Sequence, residues 1–367
     1  MRIEKIILWQ FRNYANRAIS FHPRTNLIRG ENAQGKTNLL EAIYFLSTGR
    51  SFRTSHLADL IPFNHAFFQL EAHFIKDGVS QSLKASFDGQ TRRLSHNETH
   101  FSSFSPLLGL LPIVMIAPQD LTLITGAPAD RRRFLDLMLA QSDPLYVHYL
   151  MRYLKAMKQR NALLRNKKIE TIDAWEYAMA QAACYLYKKR REGIAQLTPL
   201  AQSSLHALSF GEDQLTILYQ PTLAESETHS VETLTQSWAK SRKRELLFGT
   251  SLIGPHRDEL LLSVNGKLAR NYCSEGQKRS LVTALRLAEW KRLKALSGYS
   301  PLLCIDDFGI HLDAKRYHLI QKEMQGLDQV FLTTPLLLEE STPADQTLFI
   351  KQGQISNEEL SSHLQQG

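Results

Sequence analysis

Residues 26–46 read NLIRGENAQGKTNLLEAIYFL, and this stretch decides how the N-terminal part of the chain folds. Gly30 to Thr37 follow the spacing G-x-x-x-x-G-K-T, between a short apolar run and a segment with apolar residues at helical spacing. A glycine-containing loop of this kind turns several peptide N–H groups towards one point, and the helix that follows adds the positive end of its dipole. The stretch therefore predicts a strand, a phosphate-binding loop and a helix.

The residue types of this loop match the chemistry of phosphate binding. Gly30 and Gly35 supply the backbone freedom that a concave turn requires. The Lys36 ammonium can reach the β- and γ-phosphates of a nucleotide, and the Thr37 hydroxyl can bind Mg²⁺. A chance match in a turn is the alternative, and the flanking strand and helix patterns argue against it. The predicted nucleotide-binding residues of the loop are Gly30, Glu31, Asn32, Ala33, Gln34, Gly35, Lys36 and Thr37.

The composition of the chain is typical of a soluble protein. Of its 367 residues, 43% are hydrophobic and 22% are charged, which fits one large domain or two ordinary ones. No stretch approaches about 18 uninterrupted apolar residues, and the N-terminal run carries charges, so we expect neither a signal peptide nor a membrane span. Cys184, Cys273 and Cys304 are scattered and odd in number, which favours a reducing, cytoplasmic location.

The charge balance makes nucleic acid a candidate partner. The net charge is +8 and the isoelectric point is about 9.3. Each basic cluster alone is also typical of a solvated helix face, so the sequence leaves open which one contacts DNA. No basic stripe is interleaved with aromatic residues, which favours the duplex backbone over base stacking. The clusters lie at 130–134, 188–191, 241–245 and 291–294.

The pattern of apolar residues changes twice along the chain. Residues 1–125 mix strand-like and helical runs, residues 126–204 contain long helical patterns, and residues 205–367 return to strands. We predict an α/β core formed by the first and last of these segments and interrupted by a helical insertion. In two helical runs of this insertion, apolar residues recur with heptad-like spacing, which favours a short antiparallel helical arm. An ordinary helical subdomain is the open alternative. Asn265 and Gly266, between two strand-like runs, predict a hairpin.

A second motif, LLCIDDFGIHLD at 302–313, offers acidic side chains to a nucleotide site. Its apolar start predicts a buried strand, and Asp306 stands at the carboxyl end of that strand, where ligand sites open in parallel sheets. We predict that Asp306 binds Mg²⁺ directly or through water, and that Asp307 orients or deprotonates the attacking water. Without the phosphate-binding loop, a solvated Asp-Asp turn would be the simpler interpretation.

A third motif, YCSEGQKRSL at 272–281, places a hydroxyl and a glycine at the start of a predicted helix. Exposed backbone N–H groups at a helix start form a phosphate-binding surface. Ser274, Gly276 and Gln277 resemble the signature motif of ABC-type ATPases. In those proteins the motif contacts the γ-phosphate held by a second head, so that two heads close around two ATP molecules.

Further motifs come in the order and spacing of the RecF family, and the similarity covers essentially the whole chain. The resemblance implies an α/β, ABC-type P-loop ATPase head with a mixed-sheet lobe and a helical lobe, related to the SMC and double-strand-break repair ATPases. It also implies a short antiparallel helical arm as an insertion. The motifs are FRNY at 11–14, GENAQGKTNLLEAIYFLSTGRSFRT at 30–54, APQDLTLITGAPADRRRFLD at 117–136, GPHRDEL at 254–260 and SEGQKR at 274–279.

The resemblance further implies a function. It points to ATP and Mg²⁺ as cofactors and to ATP-driven homodimerisation on DNA at junctions between single and double strands. RecF-family proteins work with RecR and RecO to help load RecA onto single-stranded DNA in recombinational repair and replication. We therefore expect a clamp that closes on DNA with ATP and reopens on slow hydrolysis, hence a weak DNA-dependent ATPase.

The resemblance assigns roles to single residues as well. Gln119 lies in a segment that corresponds to the Q-loop, which usually reads Pro-Glu-Asp, and it would sense Mg²⁺ and the γ-phosphate. Arg12 and Asn13 would lie near the nucleotide. Arg257 and Asp258 look like part of a buried polar network, with a purely structural ion pair as the alternative. The residues implied to be catalytic are Lys36, Asp306, Asp307 and Gln119.

Several departures from the family pattern affect hydrolysis. Ile310 and His311 stand where RecF-like chains usually have a serine and an acidic residue in the D-loop. Thr333 or Thr334 occupies the place of the switch histidine of many ABC proteins, and a hydroxyl polarises the γ-phosphate less than an imidazole does. ATP binding and dimerisation are expected to persist, with slow turnover. The remaining departures are Glu275 and Lys278, in place of two signature glutamines.

Three other functions are alternatives to this one. The first is a clamp that closes on ATP and hardly hydrolyses it, which the altered D-loop favours. The second is a P-loop kinase or other phosphotransferase, against which the signature motif and the long insertion argue. The third is an SMC-like structural protein, and the short arm argues against long-range tethering.

Overall fold

The computed structural model describes residues 1–308, 314–324, 327–335 and 344–356. Its strands in chain order are β1 (Arg2–Phe11), β2 (Tyr14–Ser20), β3 (Thr25–Arg29), β4 (Phe68–Lys76), β5 (Val79–Phe87), β6 (Arg92–His96), β7 (Thr99–Phe101), β8 (Ile113–Ile116), β9 (Leu215–Gln220), β10 (Glu259–Val264), β11 (Lys267–Leu268), β12 (Leu302–Ile305), β13 (Val330–Thr334), β14 (Gln346–Lys351) and β15 (Gln354–Ser356). The helices are α1 (Lys36–Thr48), α2 (Thr122–Thr125), α3 (Pro128–Ala140), α4 (Pro144–Asn166), α5 (Ile172–Leu208), α6 (Val231–Phe248), α7 (Ala269–Tyr272), α8 (Glu275–Ser297) and α9 (Ala314–Met324). Short 3₁₀ helices cover Leu57–Leu60, Ser105–Leu107, Pro118–Leu121 and Glu225–Thr228.

The chain divides into two units by its internal contacts. The first unit combines Met1–Asp120 with Leu293–Gly367, and the second is Leu121–Arg292. The predicted insertion covers residues 126–204, whereas the second unit extends from Leu121 to Arg292. The difference arises because β9 and α6 pack on α5, so the segment after residue 204 folds together with the helices that precede it.

The first unit contains two sheets with a helix between them. One sheet is antiparallel, with the order β2-β1-β4-β5-β6-β7. The other has the order β15-β14-β3-β13-β12-β8, and it is parallel apart from β15. Helix α1 contacts strands of both sheets, which explains why its residues from Leu39 to Thr48 are buried on every side.

The parallel sheet sets the position of the loops that follow its strands. Strands β3, β13, β12 and β8 run in the same direction, with Thr334 beside Arg29 and Ile305 beside Ile116. Their carboxyl ends therefore meet at one edge of the sheet. The loop at 30–35 begins at this edge, as do the Asp306–Asp307 pair and the Pro118–Leu121 turn.

The second unit is built on long helices, as the sequence predicts. Helices α4 and α5 pack against each other and are joined by residues 167–171, and α6 packs on both of them. A small antiparallel sheet of order β11-β10-β9 packs on α5. Asn265 and Gly266 both have positive φ angles, 52° and 75°, so the predicted hairpin turn between β10 and β11 is confirmed.

Buried ion pairs connect the helices of the second unit. Arg160 of α4 has no exposed side-chain surface and donates to Glu176 of α5 at 2.8 Å and to Glu245 of α6 at 2.6 Å. Both bonds come from Nη2, while Nε also donates to Glu176, at 3.0 Å, and Nη1 donates to the Ser251 hydroxyl at 2.8 Å. Loss of one partner would leave an unpaired buried charge, so the network fixes the relative position of three helices.

Across the described ranges, no helix combines the length and apolar character needed to cross a membrane.

A half-buried histidine makes the stability of the second unit sensitive to acid. His256 Nε2 lies 3.1 Å from the Ser251 carbonyl oxygen, so this nitrogen carries the proton, and Nδ1 accepts a bond of 2.6 Å from the Tyr153 hydroxyl. Burial of the ring, followed by the nearby charge of Arg257, lowers the pKa of His256 from its usual 6.5 to about 4. The imidazole therefore stays neutral in the folded protein at pH values where the unfolded chain is protonated.

We expect the free energy of unfolding to fall by about 2 kcal/mol through His256 between pH 7.5 and pH 5. The unfolded state binds a proton below pH 6.5, whereas the folded state binds it only near pH 4, so stability is lost as the pH falls through this window. Urea unfolding of the wild type and of His256→Gln at both pH values measures the contribution. An equal pH dependence in the two proteins would contradict it.

Candidate functional site

The loop at 30–35 depends on two glycines for different reasons. A side chain at Gly30 would place Cβ only 2.4 Å from the Ile350 carbonyl oxygen of the neighbouring strand. Gly35 has a φ of 121°, and a Cβ there would lie 2.7 Å from the Asn13 amide. The first glycine permits a close backbone approach and the second permits the turn into α1, which begins at Lys36.

Neighbouring segments of the first unit hold the carbonyl groups of this loop. The Tyr14 hydroxyl donates to Gly35 O at 2.9 Å, and the Asn13 amide donates to Gln34 O at 2.8 Å. The Gly353 N–H also donates to Gln34 O, at 3.1 Å. These bonds fix the loop before any ligand arrives, which is the arrangement that preorganised anion binding needs.

The Lys36 ammonium lies inside the loop. It donates to Gly30 O at 2.8 Å and to Glu31 O at 2.9 Å, and only 5% of the residue is exposed. Burial lowers the pKa of Lys36, and the charges of Asp307 and Asp306 oppose this effect. The predicted phosphate-binding lysine thus lies between the loop carbonyls and the acidic pair at the end of β12.

A hydroxyl and a carboxylate form a candidate magnesium site. Thr37 Oγ1 donates to Asp306 Oδ1 at 2.9 Å, and Thr333 Oγ1 donates to the same oxygen at 2.7 Å. Asp306 N donates to Ile116 O at 2.8 Å, which holds the carboxylate at the sheet edge. Mg²⁺ prefers oxygen ligands and is often bound by one or two carboxylates together with substrate phosphates and water. Thr37 and Asp306 fit that donor set, as the sequence predicts.

Burial and hydrogen bonds have opposite effects on the pKa of Asp306. Asp306 is 6% exposed, and burial, followed by the charge of Asp307, raises its pKa, while the bonds from Thr333 and Thr37 lower it. Asp307 has a φ of 56°, a left-handed conformation that turns the chain after β12, and its N–H donates to Thr333 Oγ1 at 2.8 Å. A Mg²⁺ ion beside Asp306 would favour its charged form.

The structure distinguishes the two threonines that the sequence leaves open. Thr333 bonds both to the Asp306 carboxylate and to Asp307 N, whereas the Thr334 hydroxyl donates to the Pro335 carbonyl at 2.9 Å. Thr333 therefore positions the acidic pair, and Thr334 does not contact it through its hydroxyl. Ile310 and His311, predicted to alter the D-loop, lie outside the described residues.

We expect Thr333→Val to lower the rate of ATP hydrolysis about 10- to 100-fold, because loss of a partner that orients a metal ligand has effects of this size. The substitution keeps the shape of the side chain and removes both bonds to the acidic pair. Phosphate release under saturating ATP and Mg²⁺ measures the rate. Thr334→Val is the matched control and should stay near the wild type, and equal losses in the two variants would contradict the assignment.

Arg12 lies beside the loop but is engaged by protein groups. Its guanidinium donates to both oxygens of Glu41, at 2.8 Å each, and to the Asp59 carbonyl at 2.8 Å. Glu41 is fully buried on α1, one turn after Thr37. Asn13 bonds to the loop at Gln34. Arg12 and Asn13 therefore support the predicted phosphate-binding loop and the helix that follows it, and their expected place near the nucleotide stays a prediction.

Two supporting residues were missed by the sequence reasoning. Glu41 is the acid that holds Arg12, and an acidic residue within an otherwise apolar helix was a signal available in the sequence. Arg53 donates to Asn38 Oδ1 at 2.7 Å and lies 3.6 Å from the Glu41 carboxylate. Its charge also lowers the pKa of Asp306. Nothing in the spacing around Arg53 indicates that it reaches this site.

Gln119 lies at the same sheet edge. It belongs to the Pro118–Leu121 turn that follows β8, and its side chain is exposed. The neighbouring Asp120 carboxylate accepts from Ala117 N at 2.9 Å and so shapes this turn. The turn begins beside the Asp306–Asp307 pair, since β8 and β12 are adjacent parallel strands.

The predicted signature residues form a helix N-terminus in the second unit. Ser274 Oγ accepts from Gln277 N at 3.2 Å, and Gln277 Oε1 accepts from Ser274 N at 3.0 Å, which is a capping box at the start of α8. Gln277 also donates to Asp213 at 2.9 Å. Glu275 and Lys278, which replace two glutamines, pair with each other at 2.8 Å. Ser274, Glu275 and Gly276 are exposed, so this part of the surface is open to a ligand.

The prediction that Arg257 and Asp258 both belong to a buried polar network needs a correction for Arg257. Asp258 is fully buried and bonds to Thr222 N at 3.0 Å, to the Tyr219 hydroxyl and, at 3.3 Å, to Arg190. Arg257 is exposed and donates to a backbone carbonyl instead. The buried network therefore exists, and the buried cation that bonds to the Asp258 carboxylate is Arg190 of α5.

Comparison with known proteins identifies the family. The family model described as the RecF/RecN/SMC N-terminal domain matches residues 2–353. The protein named DNA replication and repair protein RecF of Protochlamydia amoebophila is 46% identical over 338 residues, which cover 91% of this chain and 94% of the relative. That of Chlamydia caviae is 39% identical over 369 residues, 99% of each chain. The chain belongs to the RecF family.

Solved structures confirm the predicted fold class for this RecF-family chain. The structure described as the recombination mediator protein RecF-ATP in the RecFOR pathway matches with a TM-score of 0.89 and 28% identity, and covers 97% of both chains. The Smc head domain of Pyrococcus furiosus matches with a TM-score of 0.56 and 16% identity over 96% of this chain and 95% of that one, which supports the fold alone. The expected head of the ABC and SMC type is therefore confirmed.

Proposed function

We propose that this RecF-family chain acts in DNA replication and recombinational repair as an ATP-dependent DNA clamp. The proposal rests on one observation: the Asp306 carboxylate accepts hydrogen bonds from the Thr37 and Thr333 hydroxyls beside the lysine-containing loop. This arrangement provides the phosphate cradle and the magnesium ligands of an ATPase in one place. The relative described as RecF-ATP supports ATP as the nucleotide.

In this proposal ATP is a dimerisation switch. Lys36 and the loop hold the triphosphate, and Thr37 and Asp306 hold Mg²⁺, which would balance the phosphate charge. The exposed N-terminus of α8, with Ser274 and Gly276, is directed at the γ-phosphate bound by a second copy. Each head then supplies half of two composite sites, so that only the triphosphate joins the two copies.

Hydrolysis reopens the clamp, and we propose that it is slow. Asp307 would orient the attacking water, and Gln119 would sense the metal and the γ-phosphate from the adjacent turn. Asp307 has a shorter side chain than a glutamate, and Thr333 supplies a hydroxyl in the place of a histidine. Both features weaken activation of the water relative to a glutamate–histidine pair.

The partners of the clamp follow from the family. We propose that the chain closes at junctions of duplex and single-stranded DNA and helps RecR and RecO to load RecA. The net charge of +8 supports binding to a polyanion. The descriptions of the relatives, DNA replication and repair protein and recombination mediator protein of the RecFOR pathway, support this place in repair.

A binding experiment with three nucleotide states tests the proposed function. Fluorescence anisotropy of a labelled gapped duplex is measured with no nucleotide, with ADP and with a slowly hydrolysed ATP analogue. We expect tight binding only with the ATP analogue, and weaker binding to an ungapped duplex of the same length. Equal affinity in all three nucleotide states would contradict a clamp driven by ATP.

A further inference from the structure

One face of α4 carries positive charge that no acid offsets. Between residues 144 and 169 the sequence contains no aspartate and no glutamate. The buried side of the helix includes Tyr153 and Arg160, and the cations opposite them face solvent. On a helix of 3.6 residues per turn these cations fall within about 140° of the circumference. The exposed cations, here called the α4 basic face, are Arg152, Lys155, Lys158 and Arg165.

The α4 basic face differs from the basic cluster at 188–191. Among the described residues, no member of this face forms an ion pair. The cluster at 188–191 is largely neutralised: Lys189 lies 2.9 Å from Glu192, and the buried Arg190 lies 2.8 Å from Asp136. Unpaired exposed cations can exchange their counterions for phosphates without breaking internal bonds, whereas paired ones cannot.

We propose that the α4 basic face binds the phosphate backbone of duplex DNA, an inference that rests on the proposed function and assigns its DNA contact to helix α4. Arg152 and Arg165 are separated by about 20 Å along the helix axis, a length that spans several phosphates. Between residues 151 and 168 the only aromatic residue is the buried Tyr153. The face therefore has no platform for stacking bases, and it contacts the backbone without reading sequence.

The charge pattern of this surface favours a nucleic acid over a protein as its partner. Met151 and Leu154 are also exposed on α4, and such residues are common at protein interfaces. The cations extend along the full length of the face and are accompanied by no acid, which is complementary to a continuous polyanion. A protein partner is the alternative outcome of the experiment below.

The test removes three charges from the face and three charges elsewhere. The first variant is Arg152→Gln/Lys155→Gln/Lys158→Gln. The matched control is Lys84→Gln/Lys188→Gln/Lys189→Gln, whose lysines lie 3.1, 4.0 and 2.9 Å from acidic partners in the structure. Duplex affinity with the ATP analogue is measured at several salt concentrations, and light scattering with the same analogue reports dimerisation.

We expect the α4 variant to bind duplex DNA about 100-fold more weakly than the wild type near 0.1 M salt. The slope of log K against log salt should become less steep by about 2 to 3, because each phosphate contact contributes about 0.9 to its magnitude. It should dimerise with ATP like the wild type, and the control should keep the wild-type slope. A wild-type slope and affinity in the α4 variant would overturn the inference and leave this face to a protein partner. Failure of the wild type to bind DNA would instead overturn the proposed function.

Discussion

Lys36→Met is expected to weaken ATP binding at least about 100-fold and to abolish ATP-dependent dimerisation. The Lys36 ammonium makes two bonds, of 2.8 and 2.9 Å, inside the loop that would receive the phosphates. When ATP is bound, this ammonium would donate to the phosphates instead. Charge-assisted bonds contribute about 1.5 to 3 kcal/mol each, so loss of two such bonds would cost two or more factors of ten in affinity. Titration with a fluorescent ATP analogue measures the loss.

The control for this variant is Lys322→Met, which removes an equal charge from an exposed position on α9. It should bind ATP with the wild-type affinity. Unfolding curves of both variants report their stability, and Lys36→Met should lose some, because the Gly30 and Glu31 carbonyls lose the ammonium that donates to them. Wild-type ATP affinity in Lys36→Met would refute the assignment of the phosphate-binding loop.

Ser274→Arg is expected to leave ATP binding by a single copy intact and to block dimerisation. The side chain of Ser274 is exposed at the first turn of α8, the surface proposed to meet the γ-phosphate held by a second copy. A long cation at this position would fill the space between the two heads. It would also remove the helix cap, at a cost of about 1 kcal/mol to the free energy of unfolding.

Ser274→Asn separates these two effects, because asparagine caps a helix about as well as serine does and is far smaller than arginine. This variant should retain the stability of the wild type and part of its dimerisation. Equilibrium sedimentation with the ATP analogue measures the monomer and dimer populations. Full dimerisation of Ser274→Arg would show that the signature assignment is wrong, whatever its stability.

The parts of the site that depend on local sequence could be predicted. A phosphate-binding loop is specified by glycines, a lysine and a threonine within eight positions, and the flanking strand and helix follow from short patterns. Asp306 could be placed because a run of apolar residues leads directly to it. The capping box at the start of α8 likewise lies within four residues, from Ser274 to Gln277.

The parts that depend on pairing between distant segments could not be predicted. Thr333 and Thr334 are adjacent in one strand and both are buried, so only the neighbouring β12 shows which hydroxyl meets Asp306. Arg12 finds its partner in a helix 29 residues later, which no spacing indicates. The extent of the second unit depends on the packing of β9 on α5, a tertiary contact.

The central claim is that ATP joins two copies of this chain. Light scattering of the purified protein measures its mass without nucleotide, with ADP and with a slowly hydrolysed ATP analogue, each with and without a gapped duplex. An ATP-driven clamp should have the monomer mass of 41.9 kDa in the first two states and twice that mass, after subtraction of DNA, with the ATP analogue. A protein mass that nucleotide leaves unchanged in every condition, DNA included, would contradict the clamp and leave only a nucleotide-binding head.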